Sequence, residues 1–357
     1  MTDRNRSALI VGSTGIVGNN LAAHLLERGW AVAGLARKAV AEPAGLVPVV
    51  ADLNDVDSLR RALADLRPTH LFFGTWSRQA TEADNIRVNS AMVRNLLDAV
   101  RPAGSVRHVA LVTGLKHYLG PFESYGKGTL PDTPFREDEG RLPVANFYYA
   151  QEDEVFAAAA RDGFTWSVHR PHTIIGYAVG NAMNMGVTLA VYASLCKQLN
   201  RPFLFPGSPQ QWAGLTDMTD ARLLARHLEW ASTTVAGVNQ VFNVVNGDVF
   251  RWKWMWRQLA AYFQIDAAEY PGRPTPLEVQ MAGDAGPWAA LAKSRGLVEP
   301  DITRLVSAWH TDADLGRPVE VMADMNKSRR AGFLDCQPTL DAFVGLFDRL
   351  RRERLIP

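Results

Sequence analysis

Residues 8–18 read ALIVGSTGIVG: a short apolar run, then three glycines, Gly12, Gly15 and Gly18, before a stretch with helical apolar spacing begins. The glycines therefore occupy a strand–turn–helix junction. Each has a physical task there. The tight turn needs a residue free of Cβ clashes, a pyrophosphate needs close backbone approach, and the helix must pack hard on the sheet. Backbone N–H groups at the start of that helix face the phosphates. The junction predicts a dinucleotide-binding unit with Gly12, Thr14, Gly15, Ile16, Val17 and Gly18 at the cofactor.

Outward from this turn, short apolar runs alternate with longer amphipathic stretches. Residues 8–11, 31–36, 47–50, 70–73 and 108–113 read as strands buried on both faces, with helices over 17–28, 56–65 and 85–100. Such alternation implies a parallel sheet with right-handed crossovers. A further helix is predicted over 147–161 and a strand over 165–170, and residues 240–245 read as a strand returning to the same sheet. From Pro171 the rhythm loosens into Pro/Gly turns. The predicted architecture is a Rossmann-type doubly wound α/β sheet over residues 1–175. Residues 176–357 form mainly a smaller, partly helical substrate lobe above the carboxyl ends of the strands, with segments free to cross between the two.

The second strand ends in LARK. A site selective for NAD places an acid here, on the ribose 2′-OH. Arg37 and Lys38 stand there instead, and a guanidinium fork or an ammonium suits a 2′-phosphate, so the reading is NADP(H). The plainer alternative is a pair of solvated surface cations. Asp52, with Leu53 beside it, is placed on the adenine side at the end of the third strand; a helix N-cap is the competing role, which Asn54 or Asp55 fills equally well.

At the end of the fifth strand stands TGLKHYLGPF (residues 113–122), and NFYYAQED (146–153) opens the next helix. A lysine and a tyrosine at these strand ends suit a reductase. The phenol donates a hydrogen bond to an oxygen gaining negative charge, and an ammonium stabilises the phenolate and holds a ribose. Together with GSTGIVG, LARK, WSVHRPHTIIGY, NAMN and MNKSRRAGF, these stretches resemble the progesterone 5β-reductase/iridoid synthase-like enzymes, a group within the extended short-chain dehydrogenase/reductases. The similarity runs from about residue 8 to the C-terminus. It implies NADPH-dependent reduction of activated C=C bonds in enones and enals, with 3-oxo-Δ4-steroids among the candidates. By motif the catalytic pair becomes Lys116 and Tyr148. It also implies that Thr75, Val112, Ile174, Asn181, Ala182 and Met183 line the cofactor. The ordinary pair of this superfamily has a lysine four residues after the tyrosine, whereas Glu152 stands at that position here. Tyr149 and Tyr118 remain rival donors, with packing aromatics as the plainer reading of each. Trp76, Phe122, Tyr149 and Trp309 are candidate walls of the substrate pocket.

The balance of 38 Lys+Arg against 37 Asp+Glu, net +1, argues against nucleic acid or an anionic membrane surface as the main partner. Cys196 and Cys336 exclude a disulfide framework, and Cys196 reads as a buried hydrophobe. No histidine pair has metal-ligand spacing, so no metal is expected. The N-terminus lacks a signal-peptide pattern and the apolar stretch 185–196 is too short to span a bilayer, so the expected location is the cytoplasm. Trp252 and Trp256 share a helix face at i, i+4 with Trp254 turned away, which reads as packing rather than a ligand platform. The superfamily resemblance implies a homodimer and a small apolar enone or enal as substrate. A carbonyl reductase or sugar-nucleotide epimerase is the second reading, against which the missing tyrosine–lysine spacing counts. A non-enzymatic NADPH sensor is the third, against which the retained Lys116 and Tyr148 count.

Overall fold

The computed structural model describes residues 6–40, 42–121, 124, 132–180 and 183–357. Seven strands form one sheet in the order β3-β2-β1-β4-β5-β6-β9, all parallel. They are β1 Ser7–Val11, β2 Ala31–Ala36, β3 Val47–Val50, β4 His70–Phe73, β5 His108–Val112, β6 Thr165–Pro171 and, later in the chain, β9 Gln240–Val244. Between the last two, β7 Ile174–Ile175 and β8 Thr219–Asp220 make a separate parallel pair. Every strand predicted from an apolar run forms, with ends within one residue of the expected ones.

The helices are α1 Ile16–Glu27, α2 Val56–Leu63, α3 Glu82–Val100, α4 Lys116–Leu119 and α5 Phe147–Asp162. After β6 come α6 Met185–Leu199, α7 Pro209–Ala213, α8 Ala221–Thr233, α9 Trp252–Phe263, α10 Leu277–Gln280 and α11 Ala285–Arg295. The last are α12 Ala308–Leu315, α13 Asn326–Arg330 and α14 Thr339–Arg352. One face of the sheet packs α2, α3 and α5 around Leu59, Val93, Leu97 and Val155. The other packs α1 and α8 around Leu21, Leu25, Leu224 and Leu228, together with Val321, Met325 and Phe333 from near the C-terminus. The α8 helix, β9 and the 319–333 segment thus belong to the sheet, although they lie in the later part of the chain.

The remaining core is built by α6, α9, α11 and α14. Phe203 stacks on Trp256 with centroids 4.0 Å apart, and the Trp256 indole donates to the Phe203 carbonyl at 2.9 Å. Trp252 and Trp256 are fully buried while Trp254 is exposed, as the i, i+4 spacing predicts. Cys196 is buried in this core. Among the described residues no helix is long and apolar enough to cross a membrane.

The edges of the sheet differ from its centre. The expectation that residues 47–50 are buried on both faces fails: β3 is the edge strand, and Val47 and Val50 are about half exposed. Pro48 sits in it, a residue compatible with an edge because it cannot donate to a ladder. At the other edge, the backbone N–H of Asn243 on β9 donates to Glu137 at 2.9 Å and its side-chain amide donates to the Phe135 carbonyl at 2.9 Å.

Candidate active site

The strand order reverses direction between β1 and β4, and a crevice opens outside the carboxyl ends of such strands. The glycine turn forms one wall of it. Gly12 has φ +82°, and a Cβ on it would lie 2.7 Å from the Thr75 Cβ, where β1 and β4 end side by side. A Cβ on Gly18 would lie 2.3 Å from the Gly12 carbonyl oxygen, so α1 rests directly on the turn. Gly15 occupies the N-cap position of α1 and has no side chain, so the first-turn N–H groups receive no side-chain cap. Positive φ, close backbone approach and an uncapped helix start together suit a phosphate-bearing dinucleotide.

The crevice encloses about 400 Å³, within the range of ligand pockets. Most of its lining comes from the ends of four strands. Gly12, Thr14, Gly15, Ile16 and Val17 follow β1; Gly74, Thr75 and Trp76 follow β4. Val112 to Lys116 close β5, Pro171 to Ile174 close β6, and Tyr148 enters from α5. Arg37, one residue past β2, also lines it, while Lys38 is exposed outside its walls. Asp52 and Leu53 are apart from it. The Asp52 carboxylate accepts the Asn54 N–H at 2.9 Å, and buried Leu53 offers its carbonyl to Asn95. The α2 N-cap is Asp55.

Lys116 and Tyr148 arrive at the starts of two separate helices, α4 and α5, and are held together locally. Asn146 caps α5, its Oδ1 accepting the Tyr148 N–H at 3.0 Å, and its Nδ2 donates to the Lys116 carbonyl at 2.7 Å. Glu82 at the start of α3 accepts the Phe147 N–H at 2.7 Å. The Lys116 ammonium lies 4.6 Å from the Trp76 ring centre, 4.9 Å from that of Phe147 and 5.9 Å from that of Tyr148. Trp76 stacks on Phe147 at 4.9 Å. Its loop is pinned by Asn89, which accepts the Ser77 N–H at 2.7 Å and donates to the Ser77 carbonyl at 2.9 Å.

Glu152, four residues past Tyr148, is buried away from the cleft and pairs with Arg141 at 3.0 Å and Arg170 at 3.6 Å. Burial raises its carboxyl above the usual range, with Arg170 and Arg141 opposing. The hydroxyls of the rival tyrosines are committed elsewhere. Tyr149 donates to the His117 carbonyl at 2.7 Å and accepts the Leu142 N–H at 3.0 Å. Tyr118 donates to Asn243 at 2.8 Å, accepts from Arg170 at 3.2 Å, and is pushed up to about 12 by burial. Tyr149, expected in the pocket wall, is not among the residues that line the cleft, because its hydroxyl is drawn to the 117–142 backbone. Trp309 also stands outside the wall, its ring covered by the Arg78 guanidinium at 3.9 Å. Met183 lines the cleft, whereas Phe122, Asn181 and Ala182 lie outside the described residues.

The wall facing Lys116 carries charge that pattern reading passed over. His172, just past β6, donates from Nδ1 to Asp217 at 2.8 Å and accepts at Nε2 from Arg317 at 2.7 Å. Arg317 also pairs with Asp314, which accepts the Thr173 hydroxyl at 2.6 Å. Burial raises the Asp314 carboxyl, but Arg317, His310 and the Thr173 hydroxyl outweigh it and hold the group below the usual range. His310 follows one turn before Asp314 on α12, its Nε2 3.7 Å from the carboxylate. The only sequence signal for this wall is the i, i+4 spacing of His310 and Asp314, which is common on solvated helices.

Residues 51–357 match the PRISE-like Rossmann-fold domain. The chain belongs to the PRISE-like family. Among PRISE-like relatives, it is 38% identical to a 3-oxo-Δ(4,5)-steroid 5-beta-reductase of Arabidopsis thaliana, over 98% of this chain and 93% of that protein. It is 37% identical to an (S)-8-oxocitronellyl enol synthase of Camptotheca acuminata with the same coverage. Membership places this PRISE-like chain among the oxidoreductases of the extended short-chain dehydrogenase/reductase class. In fold alone it resembles an epimerase of Methanothermobacter thermautotrophicus, at 15% identity and TM-score 0.71 over 97% of this chain and 92% of that one. It also resembles the Bordetella bronchiseptica enzyme WbmH in complex with NAD+, at 15% identity and TM-score 0.65 over 97% and 98%.

Proposed function

We propose that the chain reduces the C=C bond of α,β-unsaturated carbonyl compounds with NADPH. The observation that carries this reading is the convergence of Lys116 and Tyr148 on one cleft beside the glycine turn, while the position a conventional tyrosine–lysine pair would use holds the buried, arginine-paired Glu152. The names of the steroid 5-beta-reductase and oxocitronellyl enol synthase relatives support the same substrate class. When bound, the reduced dinucleotide supplies a hydride.

The glycine turn and the first turn of α1 bind the pyrophosphate, and Arg37 pairs with a 2′-phosphate. As hydride reaches the β-carbon, the π electrons of the C=C bond move toward the carbonyl oxygen, giving an enolate. The Tyr148 hydroxyl donates a hydrogen bond to that oxygen, and the Lys116 ammonium favours the negative charge on both. A proton from solvent at the α-carbon completes the saturated product. The rings of Trp76 and Phe147 keep water from the ammonium and strengthen its field.

The test is NADPH consumption with 2-cyclohexen-1-one and with cyclohexanone. Consumption with the enone, and cyclohexanone as the product, supports C=C reduction. Consumption with cyclohexanone itself at a comparable rate assigns the chain to carbonyl reduction instead.

A further inference from the structure

The charged wall facing Lys116 has no task in the hydride transfer just described. Asp217, His172, Arg317 and Asp314 are tied into one continuous chain of hydrogen bonds and ion pairs. His310 is not. Its Nδ1 is buried without a hydrogen-bond partner, and its Nε2 stands 3.7 Å from Asp314, too far for a direct bond. Burial pushes this imidazole below its usual range, and Arg317, Lys116 and Arg78 add to that against Asp314, which favours the neutral ring. A neutral imidazole has one N–H and one bare nitrogen to satisfy. Nδ1 is closed off from the cleft, so the nitrogen left for a ligand is Nε2, and the Asp314 carboxylate 3.7 Å from it favours the tautomer with the N–H there.

The spacing selects the ligand. An oxygen that bridges His310 Nε2 and Asp314 across 3.7 Å must accept from the ring and donate to the carboxylate. A hydroxyl does both; a carbonyl or carboxylate oxygen cannot donate and meets the Asp314 charge unfavourably. The Lys116 side of the cleft is taken by the conjugated carbonyl, so this hydroxyl sits elsewhere on the substrate. We propose that His310, with Asp314, is a specificity-determining anchor for a hydroxyl remote from the conjugated carbonyl, and that the preferred substrates are hydroxylated enals or enones. The substrate class rests on the enone-reductase reading; the hydroxyl site does not.

The experiment compares (E)-oct-2-enal with a set of its analogues hydroxylated at C5, C6, C7 or C8. For the wild-type protein the best hydroxylated member is expected to have a kcat/KM about tenfold above the parent, the order of discrimination that a hydrogen-bonding site gives. In His310→Phe that ratio falls to about one. In His310→Gln, which keeps a polar head, part of it returns. No preference in the wild-type protein, or the full preference in His310→Phe, overturns the proposal, and the wild-type result needs no folded variant.

A second measurement separates the two readings. Saturated octanal and its hydroxylated counterparts, which have no C=C to reduce, are titrated into the protein with NADP+, following binding by titration calorimetry. Tighter binding of a hydroxylated aldehyde that His310→Phe abolishes upholds the anchor even if no enal is reduced. Reduction of the enals with equal binding of all the aldehydes upholds the reductase reading and removes the anchor.

Discussion

The side-chain amide of Asn146 donates to the backbone carbonyl of Lys116 at 2.7 Å. The same side chain caps the helix that carries Tyr148, so one residue ties together two groups contributed by the starts of α4 and α5. Asn146→Ala is expected to lose about 1–3 kcal/mol of stability, from a helix cap and a buried hydrogen bond, and to reduce enones at least tenfold more slowly. Asn146→Asp keeps the capping oxygen but has no donor for Lys116. Urea unfolding should find its stability largely restored and steady-state kinetics should find kcat still low. Recovery of both together would show that Asn146 acts through helix stability alone.

Tyr148→Phe is expected to lower kcat by ~10²–10³, with NADPH affinity in titration calorimetry nearly unchanged. Lys116→Ala should be of similar severity, and the double variant little worse than either, since both groups act on one developing charge. Tyr149→Phe should behave in the opposite manner: its hydroxyl holds the 117 and 142 backbones, so stability drops by about 1–3 kcal/mol while kcat falls far less. A dead Tyr149→Phe and an active Tyr148→Phe would exchange their roles.

Arg37 lines the cleft one residue past β2, where no carboxylate stands. Arg37→Ala is expected to raise the KM for NADPH about tenfold or more and leave that for NADH within about twofold, because a charge-assisted contact contributes roughly 1.5–3 kcal/mol. Equal kcat/KM for the two cofactors in the unaltered protein would remove Arg37 from cofactor selection.

Stability should fall as the medium is acidified, and the cause is histidine. Burial holds His108, His117 and His227 at about 3, and His169 well below its usual value. Three of them form a hydrogen-bonded row: His108 to Ser167 at 2.9 Å, Ser167 to His169 at 2.8 Å, His169 to His227 at 3.0 Å. Each folded value lies below the unfolded one of about 6.5, so the unfolded chain binds more protons as pH drops. Their contribution is complete about one unit above pH 6.5 and is withdrawn as the pH falls through 6.5 toward 3, each group by up to about 1.4 kcal/mol per pH unit. The raised carboxyls of Glu152 and Glu137 act in the opposite sense, nearer the carboxylate range. Urea midpoints at pH 7.5, 6.5 and 5.5 should fall slightly over the first step and steeply over the second. A midpoint as high at 5.5 as at 7.5 contradicts this account.

The sheet was almost wholly legible because a strand buried on both faces leaves an uninterrupted apolar run, as at residues 8–11 and 70–73. The glycine turn was legible because Gly12 and Gly18 leave no room for a Cβ, a constraint written directly in residue type. The wall of His172, His310, Asp314 and Arg317 was not. It is assembled from two distant segments, residue 172 and residues 310–317, and nothing local distinguishes a cleft arginine such as Arg317 from a solvated one. Tyr149 was misplaced for a related reason. Adjacent residues on a helix start diverge by about 100°, and only the hydrogen bonds to 117 and 142 decide which phenol faces the cleft.

The two closed borders of the sheet bear on how copies of this chain can meet. A strand of four residues containing Pro48 is a poor template for a neighbour's backbone, and at the opposite border the Asn243 amides are already occupied by residues 135 and 137. Association by continuing one sheet into another is thereby discouraged at both ends. These borders favour side-chain contacts over backbone pairing in any self-association, and such contacts can be tuned by surface substitutions without disturbing the strand ends at the cleft.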